Sequence, residues 1–304
     1  MGLQLTRRAR RTALGVLLGA SFLLVGACDA RTEDQVHHWA MPGAPATTQA
    51  VHIFDLWKGA WIAALVTGAI TWALMFYAAF RFRRRSDDEI PVQTRYNLPL
   101  EIFYTIAPIM MVIVFFAWTV RAQETVLDED LPADNCVQVV GQQWSWTFNY
   151  NQACDDPMGP VVYTAGAGNK IPTLVLEVDK TTEFRLSSPD VIHSFWITGF
   201  MMKMDIIPGQ KFDPETGKDS RNHFKVTPTR TGDFVGKCTE LCGAYHSRML
   251  FNVKVVAHDE YVDYIAKLGK SPDSSSDHPV LGGAFSVTPA GLEATQENET
   301  GGHE

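Results

Sequence analysis

The sequence has few cysteines, no excess of positive charge and, beyond its first 120 residues, no long apolar run. Five cysteines in 304 residues are too few to brace a disulfide scaffold, so their spacing says more than their number. The 26 Lys and Arg against 34 Asp and Glu leave a formal charge of −8. Nucleic-acid binding needs a basic footprint, and this balance argues against it. The length exceeds one average domain, so two or more modules are expected.

The first residues read as an export signal. Arg7, Arg8, Arg10 and Arg11 form a basic region, and residues 13–27 form an apolar run too short for a comfortable span. The run ends in Val25-Gly26-Ala27-Cys28, which resembles a bacterial lipoprotein box with cleavage before a lipidated Cys28. The plainer alternative is a signal peptide, residues 1–27, followed by an incidental cysteine. Residues 28–56 form an exported N-terminal segment.

Residues 57–80 carry Lys58 as their only charge and are long enough to cross ~30 Å of hydrocarbon as a helix. Arg81, Arg83, Arg84 and Arg85 follow at once, which assigns the 81–97 loop to the cytoplasm. Residues 98–120 carry the chain back out. The expected topology is a transmembrane hairpin in a bacterial plasma membrane, multi-pass, with both ends on the extracytoplasmic side. Asn97 can cap the second helix, Pro99 is tolerated in its first turn, and Pro108 bends it. Glu101 lies one turn inside the cytoplasmic end. It is either a carboxylate favoured by the helix dipole and reaching for water, or a proton-pathway residue. The residues alone leave both open.

Residues 123–268 change to short alternating apolar segments punctuated by Pro-Gly, Thr-Gly and Ala-Gly. Residues 137–140, 173–178, 182–186, 193–197, 224–227 and 249–256 read as strands, and the alternating aromatics Trp146 and Phe148 as one buried strand face. Many short strands without helical periodicity predict a β-sandwich or barrel. Residues 258–268 suit a short terminal helix. Residues 269–304 are rich in Ser, Gly, Glu and Thr and are expected to be a disordered tail.

The segment with the most chemistry is Cys238-Thr239-Glu240-Leu241-Cys242-Gly243-Ala244-Tyr245-His246-Ser247-Arg248-Met249. Two thiols, an imidazole and a thioether fall close together, and a second histidine, His193, lies upstream on an expected strand. Soft thiolate and thioether donors with imidazole favour copper, whereas zinc has little use for methionine. A mononuclear blue-copper centre needs one cysteine, two histidines and a weak axial ligand. The second cysteine allows two thiolates to bridge two ions, with His193 and His246 each completing one. Met249 and a backbone carbonyl, such as that of Glu240, would be weak axial ligands. The alternative is a disulfide between Cys238 and Cys242 with His246 and Met249 incidental.

This loop resembles, in every ligand position, the Cu-A loop of the cytochrome c oxidase subunit II family. The likeness covers roughly residues 57–268. It includes Asp190-Val191-Ile192-His193-Ser194-Phe195-Trp196, Lys203-Met204-Asp205-Ile206-Ile207-Pro208-Gly209 and Leu176-Glu177-Val178-Asp179. The resemblance implies a two-helix transmembrane hairpin followed by an all-β, cupredoxin-like Greek-key β-sandwich. It implies a dinuclear copper held by His193, Cys238, the Glu240 carbonyl, Cys242, His246 and Met249. The Glu240 side chain would help bind magnesium or manganese at the subunit I interface, where a hard oxygen donor suits such an ion. Trp144 would be where electrons arrive from cytochrome c. Glu101, seven residues before Pro108, would be a proton-channel entrance. Partners would be subunits I and III, with haem only in the partner subunit, and the activity that of an oxidase subunit coupled to proton pumping.

Departures accompany the match. Gln210 stands where an arginine is common, and the charged stretch 211–223 looks like an insertion, suited either to docking or to solvent. Cys136 and Cys154 flank the aromatic run outside the motif, and a disulfide between them is left open. The apparent lipobox and insertion resemble actinobacterial versions of the subunit, whose donor would be a membrane-tethered cytochrome c of a bc complex in a supercomplex. Among rivals, a thioredoxin-like copper chaperone carries its histidine far downstream. Nitrous oxide reductase needs a propeller domain that this length cannot hold. Quinol oxidase subunit II lacks the copper ligands.

Overall fold

A computed structural model describes residues 35–86, 90, 92–151, 153–166 and 170–282. The chain divides into two compact units, residues 1–44 and 45–304. In the first, the described residues 35–44 form a helical turn followed by bends; the expected signal peptide and Cys28 lie outside the described residues.

The second unit opens with helix α1, Thr48–Arg81, and helix α2, Leu98–Val126, both long and apolar enough to cross a membrane. Helix α1 begins nine residues before the apolar run (57 − 48) because its start is fixed by capping and not by hydropathy. Thr47 Oγ1 accepts from the Ala50 N–H at 3.0 Å. The cap is itself held by the β-domain. Ala46 N donates to Gly199 O at 2.9 Å, Thr48 N to Thr227 O at 3.1 Å, and Thr227 N to the buried Gln49 Oε1 at 3.0 Å. In α2, Asn97 Oδ1 caps Leu100 N at 3.3 Å, and Glu101 Oε1 reaches back to Asn97 N at 3.0 Å. The helix runs on past residue 120 because backbone bonding does not stop where apolarity does.

Strands β1 (Asn135–Gln142), β2 (Ser145–Asn151), β3 (Val161–Ala165), β4 (Thr173–Glu177), β5 (Thr182–Ser187), β6 (His193–Ile197), β7 (Lys203–Ile206), β8 (Phe212–Asp213), β9 (Lys218–Asp219), β10 (His223–Val226), β11 (Gly232–Cys238), β12 (Leu250–Val256) and β13 (Ser275–Ser276) follow. One sheet is ordered β10-β5-β1-β2-β3-β13 and the other β4-β12-β11-β6-β7. The β1–β5 and β4–β12 pairs are parallel and the rest antiparallel, giving a cupredoxin-like Greek-key sandwich. Helix α3, His258–Gly269, packs on β3 and β4. Strands β7 and β11 carry weak sequence signals, since β11 contains two glycines and β7 alternates with charged residues, and pairing partners decide them; β3, Val-Val-Tyr-Thr-Ala, carries a strong β-branched signal and lies outside the expected strands.

Trp146, Phe148, Phe184, Phe195 and Phe251 form the centre of the core, each essentially inaccessible. Full burial of such a side chain is worth about 1.5–3 kcal/mol. Phe195 and Phe251 stack at 5.0 Å, and Phe251 lies directly over Gly236, its partner across β11–β12, where an added Cβ would collide with the ring.

Strands β1 and β2 are buried on both faces, not alternately. Two segments cover their outer face. Gln138 Nε2 donates to Pro157 O in the first. Asn149 exchanges two hydrogen bonds with Val280 in the second, at 3.0 and 2.8 Å, and Val280 packs on Val161 and Tyr163. The expectation of a disordered tail from residue 269 is therefore corrected up to residue 282, because β13 pairs with β3 and the following residues bury this face. The 211–223 stretch is a two-stranded ribbon bolted down by Arg221. Arg221, with only 2% of its side chain exposed, binds Asp219 and gives Nη1 to Gln138 Oε1 at 2.6 Å. Cys136 and Cys154 form a disulfide with a Cα separation of 5.3 Å.

Candidate metal centre

The donor groups collect at one end of the sandwich. His193 opens β6 and Cys238 closes the adjacent β11, with Cys238 paired to Phe195. The loop between β11 and β12 then supplies Cys242 and His246, and Met249 directly precedes β12. Cys238 N donates to Met249 O at 3.0 Å, which closes the loop at its base.

Both thiols are free and buried. Their sulfurs lie 3.7 Å apart, far outside the ~2.05 Å of a disulfide. Cys238 Sγ lies 3.8 Å from His193 Nδ1 and 3.2 Å from Glu240 O. Cys242 Sγ lies 3.6 Å from His246 Nδ1 and 3.7 Å from Met249 Sδ. Two donors at roughly 2.0–2.3 Å from one ion and a tetrahedral angle apart would be separated by about 3.3–3.8 Å. The spacing therefore fits soft-metal ligands, and the His193, Cys238 and Cys242 donor atoms all lie within 4.8 Å of one another.

Asp190 orients His193. Its Oδ1 accepts from His193 Nε2 at 2.8 Å, leaving Nδ1 toward the thiols. Oδ1 also accepts from Val191 N at 2.6 Å, and Oδ2 from Gln143 N at 2.7 Å. Burial pushes the Asp190 carboxyl up, but these bonds outweigh it and hold it below the usual carboxylate range. Burial also opposes ionisation of Cys238, yet the hydrogen bonds it accepts bring it below the usual thiol range. Cys242 is pushed up, by burial and then by the charge on Cys238.

Both tryptophans of the aromatic run bond to the metal loop. Trp144 Nε1 donates to Cys242 O at 3.2 Å, and the buried Trp146 Nε1 to Met249 O at 3.3 Å. Gln143 Nε2 reaches the same Cys242 oxygen at 2.8 Å. Trp144 is half-buried and meets Tyr245 edge to face at 4.9 Å. Gly243 takes φ +122°, and a Cβ there would stand 3.0 Å from the Trp144 ring, so both backbone and packing require glycine.

The Glu240 side chain is exposed on the loop, and Glu101 sits apart at the start of α2. Asp190 and Gly243 stand within the motif stretches and Gln143 precedes Trp144, but residue type and spacing alone assign none of the three a role. The one available signal was the position of Asp190, three residues before a candidate histidine ligand.

Fold and site together define a cupredoxin-like domain, preceded by two helices long and apolar enough to cross a membrane, with a His/Cys/Cys group that could hold a metal ion. The family model for the periplasmic domain of cytochrome c oxidase subunit II matches residues 135–256. A probable cytochrome c oxidase subunit 2 of Streptomyces avermitilis is 38% identical over 325 residues, spanning 96% of this chain and 95% of the relative. Cytochrome c oxidase subunit 2 of Corynebacterium glutamicum is 32% identical over 88% of this chain and 87% of its own. A solved structure, the periplasmic domain of subunit II from Bradyrhizobium japonicum, is 25% identical with a TM-score of 0.38, covering 46% of this chain and 96% of that one. The chain belongs to the cytochrome c oxidase subunit II family.

Proposed function

We propose that this chain takes electrons singly from a c-type cytochrome on the extracytoplasmic side and relays them to haem in oxidase subunit I, where oxygen is reduced and protons are pumped. The observation that carries this reading is the pair of free thiols 3.7 Å apart, each flanked by an imidazole nitrogen. Cys238 and Cys242 would hold two copper ions together with His193, His246, Met249 and the Glu240 carbonyl. When bound, such a copper pair supplies a one-electron carrier with the electron shared between two metals.

The protein's own residues support that role. Asp190 fixes the His193 tautomer, and the buried Met249 and Trp146 keep the inner side of the loop dry. Trp144 is partly exposed and bonds through its indole N–H to the main chain of a ligand cysteine, as suits a docking site for a donor. The exposed Glu240 carboxylate is available to magnesium or manganese shared with subunit I. Glu101 would admit protons from the cytoplasmic side, with Asn97 N–H holding its carboxylate at the helix start. Subunits I and III would be the membrane partners, and the donor a soluble or membrane-tethered cytochrome c. Cys28 would be the lipidated first residue of the mature chain.

The test is to load the purified full-length chain with copper and record optical and electron paramagnetic resonance spectra. A purple, mixed-valence signal shared over two coppers is expected, together with rapid reduction by cytochrome c. A mononuclear spectrum, or colourless binding of a single copper, would overturn the reading in favour of a copper-delivery protein.

A further inference from the structure

Gly282 lies in the part of the chain expected to be structureless, yet it is wedged between the two loops that frame the proposed electron port. Its φ is +69°, a region that disfavours side chains. A Cβ added there would collide with Gln142 Oε1 and stand 2.9 Å from Pro189 Cγ. Gln142 ends β1 immediately before Gln143 and Trp144. Pro189 immediately precedes Asp190, whose carboxylate binds both the Gln143 N–H and the His193 ring. The wedge is anchored from behind. Ser275 and Ser276 pair with Val162 and Val161, and Val280 is bonded on both sides to Asn149 of β2. His278 Nδ1 adds a 3.1 Å contact to Met158 O.

We propose that residues 275–282 form a positioning strap whose terminal Gly282 sets the spacing between the Trp144 turn and the Pro189–His193 loop. This rests on the assignment of Trp144 as the place where electrons arrive. The strap is held by Val161, Val162, Asn149 and Met158 and meets Gln142 and Pro189, none of which is a candidate donor residue. It acts through Gln142 and Pro189 on the hydrogen-bonded set of Gln143, Asp190 and His193, which ties the two loops together. Close backbone approach at Gly282 lets both loops sit against one strand of main chain; a side chain there turns the Gln142 amide away and presses on the Pro189 ring, at a φ that already disfavours it. Electron uptake depends on how the indole meets its donor, so a small displacement costs rate without emptying the metal site.

The experiment uses the assembled oxidase with copper bound. Gly282→Val should lower the apparent second-order rate of cytochrome c oxidation about tenfold or more. The copper spectrum, and turnover with a small diffusible amine reductant that needs no docked protein, should stay near wild type. Gln142→Ser removes the colliding oxygen but not the Pro189 contact and, combined with Gly282→Ala, should recover part of the cytochrome turnover that Gly282→Ala alone loses. A chain ending at residue 282 should behave as wild type, and one ending at residue 274 should behave as Gly282→Val. Unchanged cytochrome kinetics in both Gly282→Val and the chain ending at residue 274 would overturn the proposal. Loss of the copper spectrum in both would also overturn it, by making the strap part of the fold's support and not of the port. Failure of the wild-type oxidase itself to oxidise cytochrome c would instead strike at the parent reading.

Discussion

The indole Nε1 of Trp144 donates to the main-chain oxygen of Cys242 at 3.2 Å, so the half-exposed aromatic ring is one hydrogen bond from the backbone of a candidate metal ligand. Replacing it with phenylalanine keeps the packing against Tyr245 but removes that donor. Trp144→Phe should slow reduction of the copper centre by cytochrome c by well over an order of magnitude, with the copper spectrum retained. Stopped-flow mixing reads this directly, and an unaltered rate would remove Trp144 from the path.

Asp190→Asn should loosen the imidazole of His193. The 2.8 Å contact between Oδ1 and Nε2 fixes which nitrogen faces the thiols. Loss of such an orienting carboxylate typically costs about 10–100-fold in metal affinity. Competition for copper against a chelator of known strength measures this, and equal retention by both proteins would show that the loop alone orients the ring.

Gly236→Ala places a methyl group against the Phe251 ring at the centre of the core. Overpacking of this kind costs about 1–3 kcal/mol. A lower midpoint in chemical denaturation, unchanged in slope, is the expected result.

Asp219→Asn leaves the buried Arg221 guanidinium without its anionic partner. Burial pushes the Asp219 carboxyl up, but its bonds to Arg221 prevail and its folded pKa is depressed. Its stabilisation is therefore complete above the unfolded carboxylate value, about 3.9, and fades as pH falls through the depressed folded value. At pH 7 the variant should lose about 2–4 kcal/mol, below the range for a wholly buried pair because 26% of the Asp219 side chain is exposed. The deficit should shrink in strong acid; a gap that stays constant with pH would show that the carboxylate's charge is not what matters.

Cys136→Ser with Cys154→Ser opens a covalent link spanning 18 residues. Chain-entropy arguments put the loss at about 2–4 kcal/mol. The copper spectrum should persist, because the link lies on the outer face of the sheet and away from the metal loop.

Much of the molecule is legible before folding. The apolar runs at 57–80 and 98–120 sit within the two observed helices, and strand β6 occupies the expected positions 193–197. The crowding of Cys238, Cys242, His246 and Met249 is a statement about chemistry that needs no coordinates. The less visible parts depend on partners distant in the chain. Strand β11 has two glycines and a mixed polar character, and exists because β6 and β12 bond to it on either side. The ordered part of the tail, residues 270–282, has the composition of a linker, but Asn149 lies more than a hundred residues earlier and accepts Val280 only once the sheet is built.

What the sequence determined by itself was therefore the two apolar helices, the all-β character of the domain after them and the crowding of candidate donor residues at 238–249, because each is a local property of residue type and spacing. The tertiary structure decided that His193 meets Cys238 and that the two thiols stay apart. It also decided that Asp190, Gln143 and Gly243 lie against the candidate donor residues, and that Gly282 packs on Gln142 and Pro189 beside them. Those facts follow from strand register and close packing, which bring together groups that no short stretch of sequence contains.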